Sequence, residues 1–389
     1  MRIALVDSTP KAKLYPLPLL KIGAWRKSLG DDCKIFNSIL PKQDEFDEIW
    51  ITTTFTYHIP IALGIIVEAK KRAKRVWVGG ISATLLPDAF KKCGVEIHSG
   101  LLPDAEKFNP DYELLEELPE YSIAHTSRGC VRKCGFCMVQ KLEPKFKNRL
   151  GWERDIHPNT KKILFFDNNW IAKGKKGLKY DTDILKRLVS DGKINEIDFN
   201  QGLDARLMTE DIADLMQGLP INPVRFAFDN VSYDEPYQNA IRIMAKRNFK
   251  VFMAYVLYNF EDTPQDFYYR IRKNVELSVE HGIASKSFPM RFQPILTSDI
   301  KRGYVGKNWT LKKRNAVNTI LSKHSLVGQI SCQGGKTTTP IEEFEYWFGK
   351  DANEFDMLLS YPKIRQLMER KKGNLKRERQ NANLKGTKQ

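Results

Sequence analysis

The fold is decided by one stretch of the chain, Tyr121-Ser-Ile-Ala-His-Thr-Ser-Arg-Gly-Cys130-Val-Arg-Lys-Cys134-Gly-Phe-Cys137. It begins as a short apolar strand and runs directly into three cysteines with the spacing Cx3Cx2C. Three thiolates so spaced can each bind one iron of a cubane iron–sulfur cluster, and the fourth iron then has no cysteine nearby. Because electron-transfer clusters normally have four protein ligands, an open iron predicts a position where a cofactor or substrate coordinates.

A zinc site is the alternative interpretation of the same cysteines. His125 or His157 would then complete the coordination of a single ion. Structural zinc sites usually show two CxxC pairs, whereas this stretch has one, Cys134 to Cys137. The other three cysteines, Cys33, Cys93 and Cys332, are too sparse for a disulfide framework and are expected to be structural or incidental.

A series of alternating short apolar strands and helical patterns begins at Tyr121. A helix from Thr263 to His281 is the clearest, with Thr263 at the N-cap position and Pro264 at the first helical position. Six βα units in this region predict an open, partial barrel rather than the closed eight-unit one. The strands are predicted at Tyr121 to Thr126, Lys162 to Phe166, Glu196 to Phe199, Val224 to Phe228, Lys250 to Val256 and Phe288 to Gln293.

The first hundred residues alternate in the same way and predict a separate doubly wound parallel sheet, whose ligand site would lie at the carboxyl ends of the strands. Its strands are predicted at Ile3 to Val6, Glu48 to Thr52, Arg75 to Val78 and Val95 to His98. The fold class is therefore α/β, with four predicted segments. They are a doubly wound domain at 1–105, a partial barrel at 120–297, a helical extension at 298–362 and a disordered basic tail at 363–389.

The sequence resembles the radical S-adenosylmethionine (SAM) superfamily, which carries the Cx3Cx2C spacing with an aromatic residue before the third cysteine, as Phe136 is here. It is similar to the subgroup with an N-terminal cobalamin-binding-like domain at Tyr15 to Lys27 and at Val76 to Thr84. The resemblance implies that Cys130, Cys134 and Cys137 bind a [4Fe-4S] cluster. It also implies that SAM chelates the fourth iron and is reductively cleaved to a 5′-deoxyadenosyl radical, with electrons from an external donor of the flavodoxin or ferredoxin type.

The cobalamin ligand motif of many such domains, DxHxxG, is missing from this chain. Asp7 is followed by Ser8 and Thr9, and His58 has no such neighbours. Some members of the subgroup bind cobalamin without a protein ligand and others keep only the fold, so cobalamin stays open as a cofactor. Methyl transfer is expected if it binds, and rearrangement, ring contraction or sulfur insertion is available if it does not. The methylthiotransferases are disfavoured, because their N-terminal domain supplies three additional cysteines.

The family binds SAM at the carboxyl ends of the barrel strands, so the resemblance assigns cofactor contacts to residues that follow those strands here. They are Phe136, Asp167, Asn168, Asn169, Arg206, Asp229, Asn230 and Asn259. A guanidinium suits the SAM carboxylate because it grips a carboxylate bidentately, but Arg206 is also consistent with a salt bridge to Asp204 or Asp229. The run Asp167 to Asn169 is equally typical of a strand-to-helix turn. No catalytic residue and no substrate is indicated.

The chain has 389 residues and a net charge of +16, and its basic residues are unevenly placed. The tail from Lys363 to Gln389 holds ten Lys or Arg and two Glu, which is consistent with a solvated charge run or with salt-sensitive nucleic-acid binding. The competing function is therefore a non-catalytic metal-binding protein that recognises nucleic acid through its basic surface. The sequence shows no signal peptide and no apolar run long enough for a membrane span, so a cytoplasmic location is expected.

Overall fold

The computed structural model describes residues 1–10, 14–41, 44–295, 303–324, 329–334 and 338–386. The chain divides into two compact units. The first comprises Met1–Asn168, Arg187–Glu196 and Pro294–Arg302, and the second comprises Asn169–Lys186, Ile197–Gln293 and Gly303–Gln389. The domain boundaries expected from the sequence stay a prediction.

A five-stranded parallel sheet with the order β2-β1-β3-β4-β5 begins the first unit. Its elements are β1 (Arg2–Asp7), α1 (Leu17–Ser28), β2 (Asp32–Asn37), β3 (Phe46–Thr52), α2 (Ile59–Ala69), β4 (Ala73–Gly79), α3 (Ile81–Leu85), α4 (Asp88–Lys91) and β5 (Glu96–Ile97). Alternate residues of β1 point to opposite faces. Ile3 and Leu5 pack with Leu19 of α1, whereas Ala4 and Val6 pack with the apolar face of α2. Both faces of the sheet are therefore covered, as a doubly wound sheet requires.

Two features of this sheet differ from the sequence prediction. Strand β2 was not predicted, because its sequence DCKIFN is short and only half apolar, and it forms a strand by pairing with β1 from Arg2 to Asp7. The sequence also predicts one helix that Ser82 caps and that runs to about Cys93, whereas the structure has two short helices, α3 and α4, with Pro87 between them. Proline lacks the N–H that a continuous helix needs at that position.

The remaining elements of the first unit surround the cysteines. They are β6 (Ser122–Ala124), β7 (Ser127–Arg128), α5 (Val139–Leu142), β8 (Lys147–Asn148) and β9 (Lys162–Phe165). Strands β6 and β9 pair in parallel, with Ser122 opposite Ile163. Strands β7 and β8 pair antiparallel, so the chain returns to the start of the cysteine loop after passing through α5.

The elements that follow continue the predicted alternation of strands and helices. They are α6 (Gly174–Ser190), β10 (Glu196–Phe199), α7 (Glu210–Met216), β11 (Val224–Ala227), α8 (Asp234–Lys246), β12 (Val251–Tyr258), α9 (Pro264–Glu280) and β13 (Ala284–Arg291). In the second unit β11, β12 and β13 form a parallel sheet in that order. The predicted start of α9 is confirmed by a capping box, in which Thr263 and Asp266 each bind the other's backbone N–H.

Four helices end the described chain: α10 (Leu311–His324), α11 (Pro340–Phe348), α12 (Ala352–Ser360) and α13 (Ile364–Gly386). Helix α13 replaces most of the disordered tail that the composition predicts. Met368 is fully buried, and Tyr346 Oη donates to the Lys371 carbonyl at 2.9 Å, so the first turns of α13 are packed. None of the helices in the described part of the chain is long and apolar enough to cross a membrane.

Candidate cluster and cofactor site

The strand that leads into the cysteine loop is braced by one buried carboxylate. Asp167 lies just after β9 and accepts hydrogen bonds from the Thr126 N–H at 3.0 and 3.1 Å, from Thr126 Oγ1 at 2.8 Å and from Ser127 Oγ at 2.6 Å. The pairing of β6 with β9 brings these residues together across 40 positions of sequence. Asp167 was predicted to contact the cofactor, and the structure gives it the task of positioning the approach to the cysteines.

The backbone of the cysteine loop is held by side chains from the segment that follows it. Glu143 Oε2 accepts the Gly129 N–H at 2.7 Å and a hydrogen bond from Asn168 Nδ2 at 3.0 Å. Gln140 Nε2 donates to the Cys130 carbonyl at 2.8 Å and to the Arg132 carbonyl at 2.7 Å. Neither Gln140 nor Glu143 was predicted from the sequence, because their role depends on the chain folding back through α5.

The three cysteines themselves are half-buried. The Cys137 N–H donates to the Cys134 carbonyl at 3.0 Å, which forms a turn between them, and the Arg132 N–H points at Cys130 Sγ from 3.3 Å. Phe136, inside that turn, is also half-buried. The thiolate is the form of cysteine that binds metal.

A network of charged residues connects this loop to α1. Arg128 Nη1 lies 3.0 Å from both Glu143 Oε1 and His125 Nε2, and Glu106 binds Arg128 and the buried Lys21 of α1. Burial acts to raise the pKa of Glu106, but Arg128 and Lys21 outweigh it and hold that pKa below its usual range. Burial and then the nearby Arg128 lower the pKa of His125 well below its usual range, so the imidazole is neutral.

Unpartnered polar atoms gather at the carboxyl edge of the five-stranded sheet. Four buried atoms of the described residues there have no hydrogen-bond partner: Thr9 Oγ1, His58 Nδ1, Ser82 Oγ and His98 Nε2. They follow β1, β3, β4 and β5 respectively, at the edge where doubly wound sheets bind ligands. At Gly80 (φ 92°) a Cβ would lie 2.8 Å from the Thr53 carbonyl, so only glycine lets the chain pass. A polar ligand at this edge would satisfy the four atoms.

In the second unit, Arg206 is paired with a carboxylate of its own turn. Its Nε and Nη2 donate to Asp204 at 2.6 and 3.1 Å, and its guanidinium lies 4.3 Å from the centre of the Tyr233 ring. Asn169 Nδ2 also donates to Asp204, at 3.2 Å. The structure therefore brings the predicted residues Asn169 and Arg206 together, and it shows the Arg206–Asp204 salt bridge that the sequence left as an alternative.

Two other predicted contacts hold loops in place. Asn259 is fully buried with φ 66°, and its side chain binds the carbonyls of Phe292 and Tyr304 and the Gly306 N–H. Asn230 is exposed and accepts the Ser232 N–H at 2.9 Å. The sequence prediction placed both at the cofactor, whereas the structure uses the hydrogen-bonding groups of Asn259 within the protein.

Asp229 lies after β11 with an unusual ionisation. Its Oδ1 accepts the Leu257 N–H at 3.0 Å. Burial raises its pKa to about 6, although the Leu257 hydrogen bond and the nearby Arg270 oppose this. Arg270 is a fully buried residue of α9 that the sequence analysis missed. The signal that could have found it is a charge flanked by Phe267 and Ile271 on the apolar stripe of the helix.

The raised pKa of Asp229 predicts a pH-dependent stability. An acid whose pKa is higher in the folded chain stabilises the fold at low pH, and this contribution is lost as the pH rises through about 6. Asp229→Asn keeps an oxygen for the Leu257 N–H and removes the ionisation. We expect the variant to gain about 2 kcal/mol relative to wild type between pH 4 and pH 8, measured from urea unfolding. Parallel pH profiles of the two proteins would contradict the raised pKa.

No protein-family model matches the sequence, and no curated protein matches it either. Two solved structures of the radical SAM methyltransferase TsrM from Kitasatospora setae resemble the fold. The structure with cobalamin and a [4Fe-4S] cluster bound has a TM-score of 0.56 and 12% identity, over 75% of this chain and 74% of that chain. This chain has the fold of TsrM. The structure with tryptophan substrate and the SAM analogue aza-SAM bound has a TM-score of 0.57 and 12% identity, over 75% and 73%.

The two histidines considered for a zinc site, His125 and His157, have other partners in this fold. Zinc draws four ligands around one ion, with Zn–S distances of about 2.3 Å. Across the described ranges, no group of three or more His, Cys, Asp or Glu side chains surrounds one metal position. His125 binds Arg128, and His157 Nε2 lies 3.3 Å from Glu113, so both histidines considered for zinc have other partners. A cubane keeps its thiolates apart, because each binds a different iron.

Gly129 is the residue at which the loop of this TsrM-like fold is most sensitive. Its φ is 76°, and an added Cβ would lie 2.5 Å from the Lys145 carbonyl and 2.9 Å from the Glu143 carbonyl. We expect Gly129→Ala to displace the loop and to lower the iron and sulfide bound per chain, with the helix content of the protein unchanged. Gly64→Ala is the control, since nothing lies within 4 Å of its Cβ position. Full iron loading of Gly129→Ala would show that the loop tolerates a side chain.

Proposed function

We propose that this protein is a radical SAM enzyme whose [4Fe-4S] cluster is held by Cys130, Cys134 and Cys137. The observation that carries the proposal is the Cx3Cx2C loop, braced at its base by Asp167, in a chain with the TsrM fold. When bound, such a cluster would supply the electron for reductive cleavage of SAM. Cys130, Cys134 and Cys137 would each contribute one thiolate to hold it.

The residues around the loop keep its shape and its charge. Glu143 binds the Gly129 N–H, and Gln140 binds the Cys130 and Arg132 carbonyls, so both side chains hold the backbone at the start of the loop. Arg128 supplies positive charge beside the loop but is itself paired with Glu106 and Glu143. The neutral His125 adds no charge. The Arg132 N–H adds a hydrogen bond to Cys130 Sγ at 3.3 Å.

SAM binding is proposed for the predicted residues that remain near one another in the second unit. Arg206 would bind the SAM carboxylate after exchanging Asp204 for it, because both are carboxylates that a guanidinium binds bidentately. Asp229, protonated below about pH 6, has a carboxyl that can bind ribose hydroxyls. Phe136, Asn168 and Asn230 are further proposed contacts of SAM.

Cobalamin is the proposed second cofactor, held at the carboxyl edge of the five-stranded sheet. Cobalamin carries amide side chains that donate and accept hydrogen bonds, which suits the unpartnered atoms of Thr9, His58, Ser82 and His98. TsrM is a methyltransferase whose structure contains cobalamin, and this supports methyl transfer as the reaction. The substrate would be a small molecule or a macromolecule that receives the methyl group, with electrons from a flavodoxin- or ferredoxin-type donor.

The competing function, a metal-binding protein that recognises nucleic acid, is not favoured. The basic segment from Lys363 onward begins as a packed helix. Nucleic acid remains a proposed partner of that segment only through its charge.

One anaerobic experiment tests the proposed function. The full chain is reconstituted with iron and sulfide, reduced, and incubated with SAM, with and without cobalamin. We expect four irons per chain, 5′-deoxyadenosine as the product of radical cleavage, and S-adenosylhomocysteine when a methyl group is transferred to cobalamin. A protein that retains one equivalent of zinc and forms neither product contradicts the proposal. The absorbance of bound cobalamin tests the N-terminal site independently of turnover.

A further inference from the structure

A cavity of about 450 Å³ lies within the second unit, on one face of the sheet formed by β11, β12 and β13. Its walls include Arg225 of β11, Met253 and Tyr255 of β12, and Phe288 and Met290 of β13. A volume of this size is typical of small-molecule sites. All of its lining residues belong to the second unit.

The strand alternation explains why these residues share a face. In the sheet register Arg225 pairs with Met253, and Tyr255 pairs with Phe288. Side chains of every second residue point to the same side of a strand, so these residues line one surface. The opposite side carries small and apolar residues that are buried, which are Val224, Phe226, Phe252, Ala254, Val256, Ser285 and Ser287. The cavity face is therefore not needed for the core, and its aromatic and thioether residues are available to a ligand.

The charge in the cavity is cancelled. Arg225 Nε and Nη2 each donate to the Asp198 carboxylate at 2.6 Å, and the pair is largely buried. The guanidinium also lies 5.9 Å from the centre of the Tyr255 ring. Tyr255 Oη donates to the Asn200 carbonyl at 2.6 Å, so its hydroxyl is already engaged. A charged group entering this cavity would lose its hydration without gaining a counter-ion.

The shape of the walls favours a flat ring. The rings of Tyr255 and Phe288 stand at 85° with centroids 5.8 Å apart, and both residues line the cavity, so a ligand meets aromatic surface there. Met253 and Met290 add polarisable sulfur, which packs well against aromatic rings. The amides of Gln201 and Gln329 also line the cavity, and each provides both a donor and an acceptor for polar groups in the plane of a ring.

We propose that this cavity binds the substrate of the enzyme and that the substrate enters it with an uncharged, planar heteroaromatic ring bearing N–H or carbonyl groups. The inference rests on the proposed radical SAM function in calling the ligand a substrate. The chemical class of the ligand is inferred from the cavity walls alone. The neutralised Arg225 excludes an anionic ring, and the ring pair and thioethers favour an aromatic ligand over a saturated one.

Binding of three probes to the full chain tests the ligand class by calorimetry. The probes are 2-quinolinone, which is neutral, planar and a lactam; quinoline-2-carboxylate, which is planar but anionic; and δ-valerolactam, which is a neutral lactam without an aromatic ring. We expect 2-quinolinone to bind at least tenfold more tightly than either of the others. Equal or tighter binding of the carboxylate would overturn the inference, since Arg225 would then act as a free cation.

Two variants locate the binding in this cavity. Phe288→Leu removes the ring wall and is expected to weaken 2-quinolinone binding at least tenfold. The matched control is Phe292→Leu, because Phe292 packs on Phe260 and Tyr304 outside the cavity walls. Gln201→Trp places a large side chain on an exposed position of the wall and should block binding even if Phe288→Leu fails to fold. Unchanged affinity in a folded Gln201→Trp protein would overturn the assignment.

A competition experiment separates this inference from the proposed function. The substrate assignment requires that 2-quinolinone bind equally well with saturating SAM present. Displacement by SAM would mean that the cavity receives the adenine of SAM, and the inference would fail. If SAM is cleaved but 2-quinolinone does not bind, the inference alone fails. If 2-quinolinone binds as expected but no SAM product forms, the radical SAM function alone fails.

Discussion

Cys134→Ala is expected to abolish both the brown absorbance of the reconstituted cluster and the formation of 5′-deoxyadenosine. Cys134 is the middle thiol of the Cx3Cx2C loop, and no other cysteine of the described chain belongs to that loop except Cys130 and Cys137. Two thiolates cannot hold three irons, so the cluster is lost rather than altered. The turn itself should survive, because the bond from the Cys137 N–H is accepted by the Cys134 backbone carbonyl and not by its side chain.

Cys93→Ala is the matched control for this experiment. Cys93 is a half-buried cysteine of the five-stranded sheet domain, so the variant changes the total cysteine count equally and leaves the loop intact. We expect it to bind four irons and to cleave SAM like the wild type. SAM cleavage that survives in Cys134→Ala would contradict the cluster assignment, and loss of cleavage in Cys93→Ala would show that the assay is sensitive to folding rather than to the cluster.

Arg270→Met is expected to cause the largest loss of stability in the second unit. The guanidinium is fully buried and donates to Asp262 at 2.6 Å, to the Leu257 carbonyl at 2.7 Å and to the Phe228 carbonyl at 3.1 Å. These partners end β12 and β11, so one side chain of α9 fixes two strand ends. Methionine fills a similar volume but leaves the Asp262 carboxylate buried without its cation. Breaking a buried ion pair in this way costs about 3–5 kcal/mol.

The loss of stability is measured from the midpoint of urea unfolding, which is monitored through a signal from the second unit. Arg242→Met is the control, because Arg242 is an exposed residue of α8 whose guanidinium donates to Asn239 Oδ1 on the same helix. We expect that variant to change stability by less than about 0.5 kcal/mol. An Arg270→Met protein as stable as Arg242→Met would mean that Arg270 does not tie the strands together. Since Arg270 also opposes the raised pKa of Asp229, its loss should raise that pKa further.

Local sequence signals predicted much of the fold. Thr263 and Pro264 marked the start of α9 within one residue, because capping depends only on neighbouring residues. Each of the six strands expected from Tyr121 onward overlaps an observed strand, although β13 begins at Ala284 and not at Phe288. Signals of this kind failed where a partner from elsewhere in the chain decides the outcome. Strand β2 has too few apolar residues to be seen and forms by pairing with β1.

The candidate site divides in the same way. The spacing of Cys130, Cys134 and Cys137 predicted a cluster, because those residues lie within eight positions and need no long-range contact to be recognised. The sequence could not show that Asp167 braces the start of the loop, that Asn259 is used within the protein or that Arg206 binds Asp204. Each of these roles depends on which hydrogen-bonding groups are close in space. The sequence does not distinguish an Asp, Asn or Arg that binds another part of the protein from one that is free to bind a cofactor.

The sequence by itself determined the α/β class, the alternation of strands and helices and the three cysteines, since these follow from the period of apolar residues and from short-range spacing. Only the tertiary structure decided what happens to the polar residues at the strand ends. There, burial and pairing assign Asp167, Asn259 and Arg270 to holding the fold and leave Thr9, His58, Ser82 and His98 with unpartnered buried atoms. The physical reason is that a polar group's role depends on the partner that replaces its water, and that partner lies far away in the sequence.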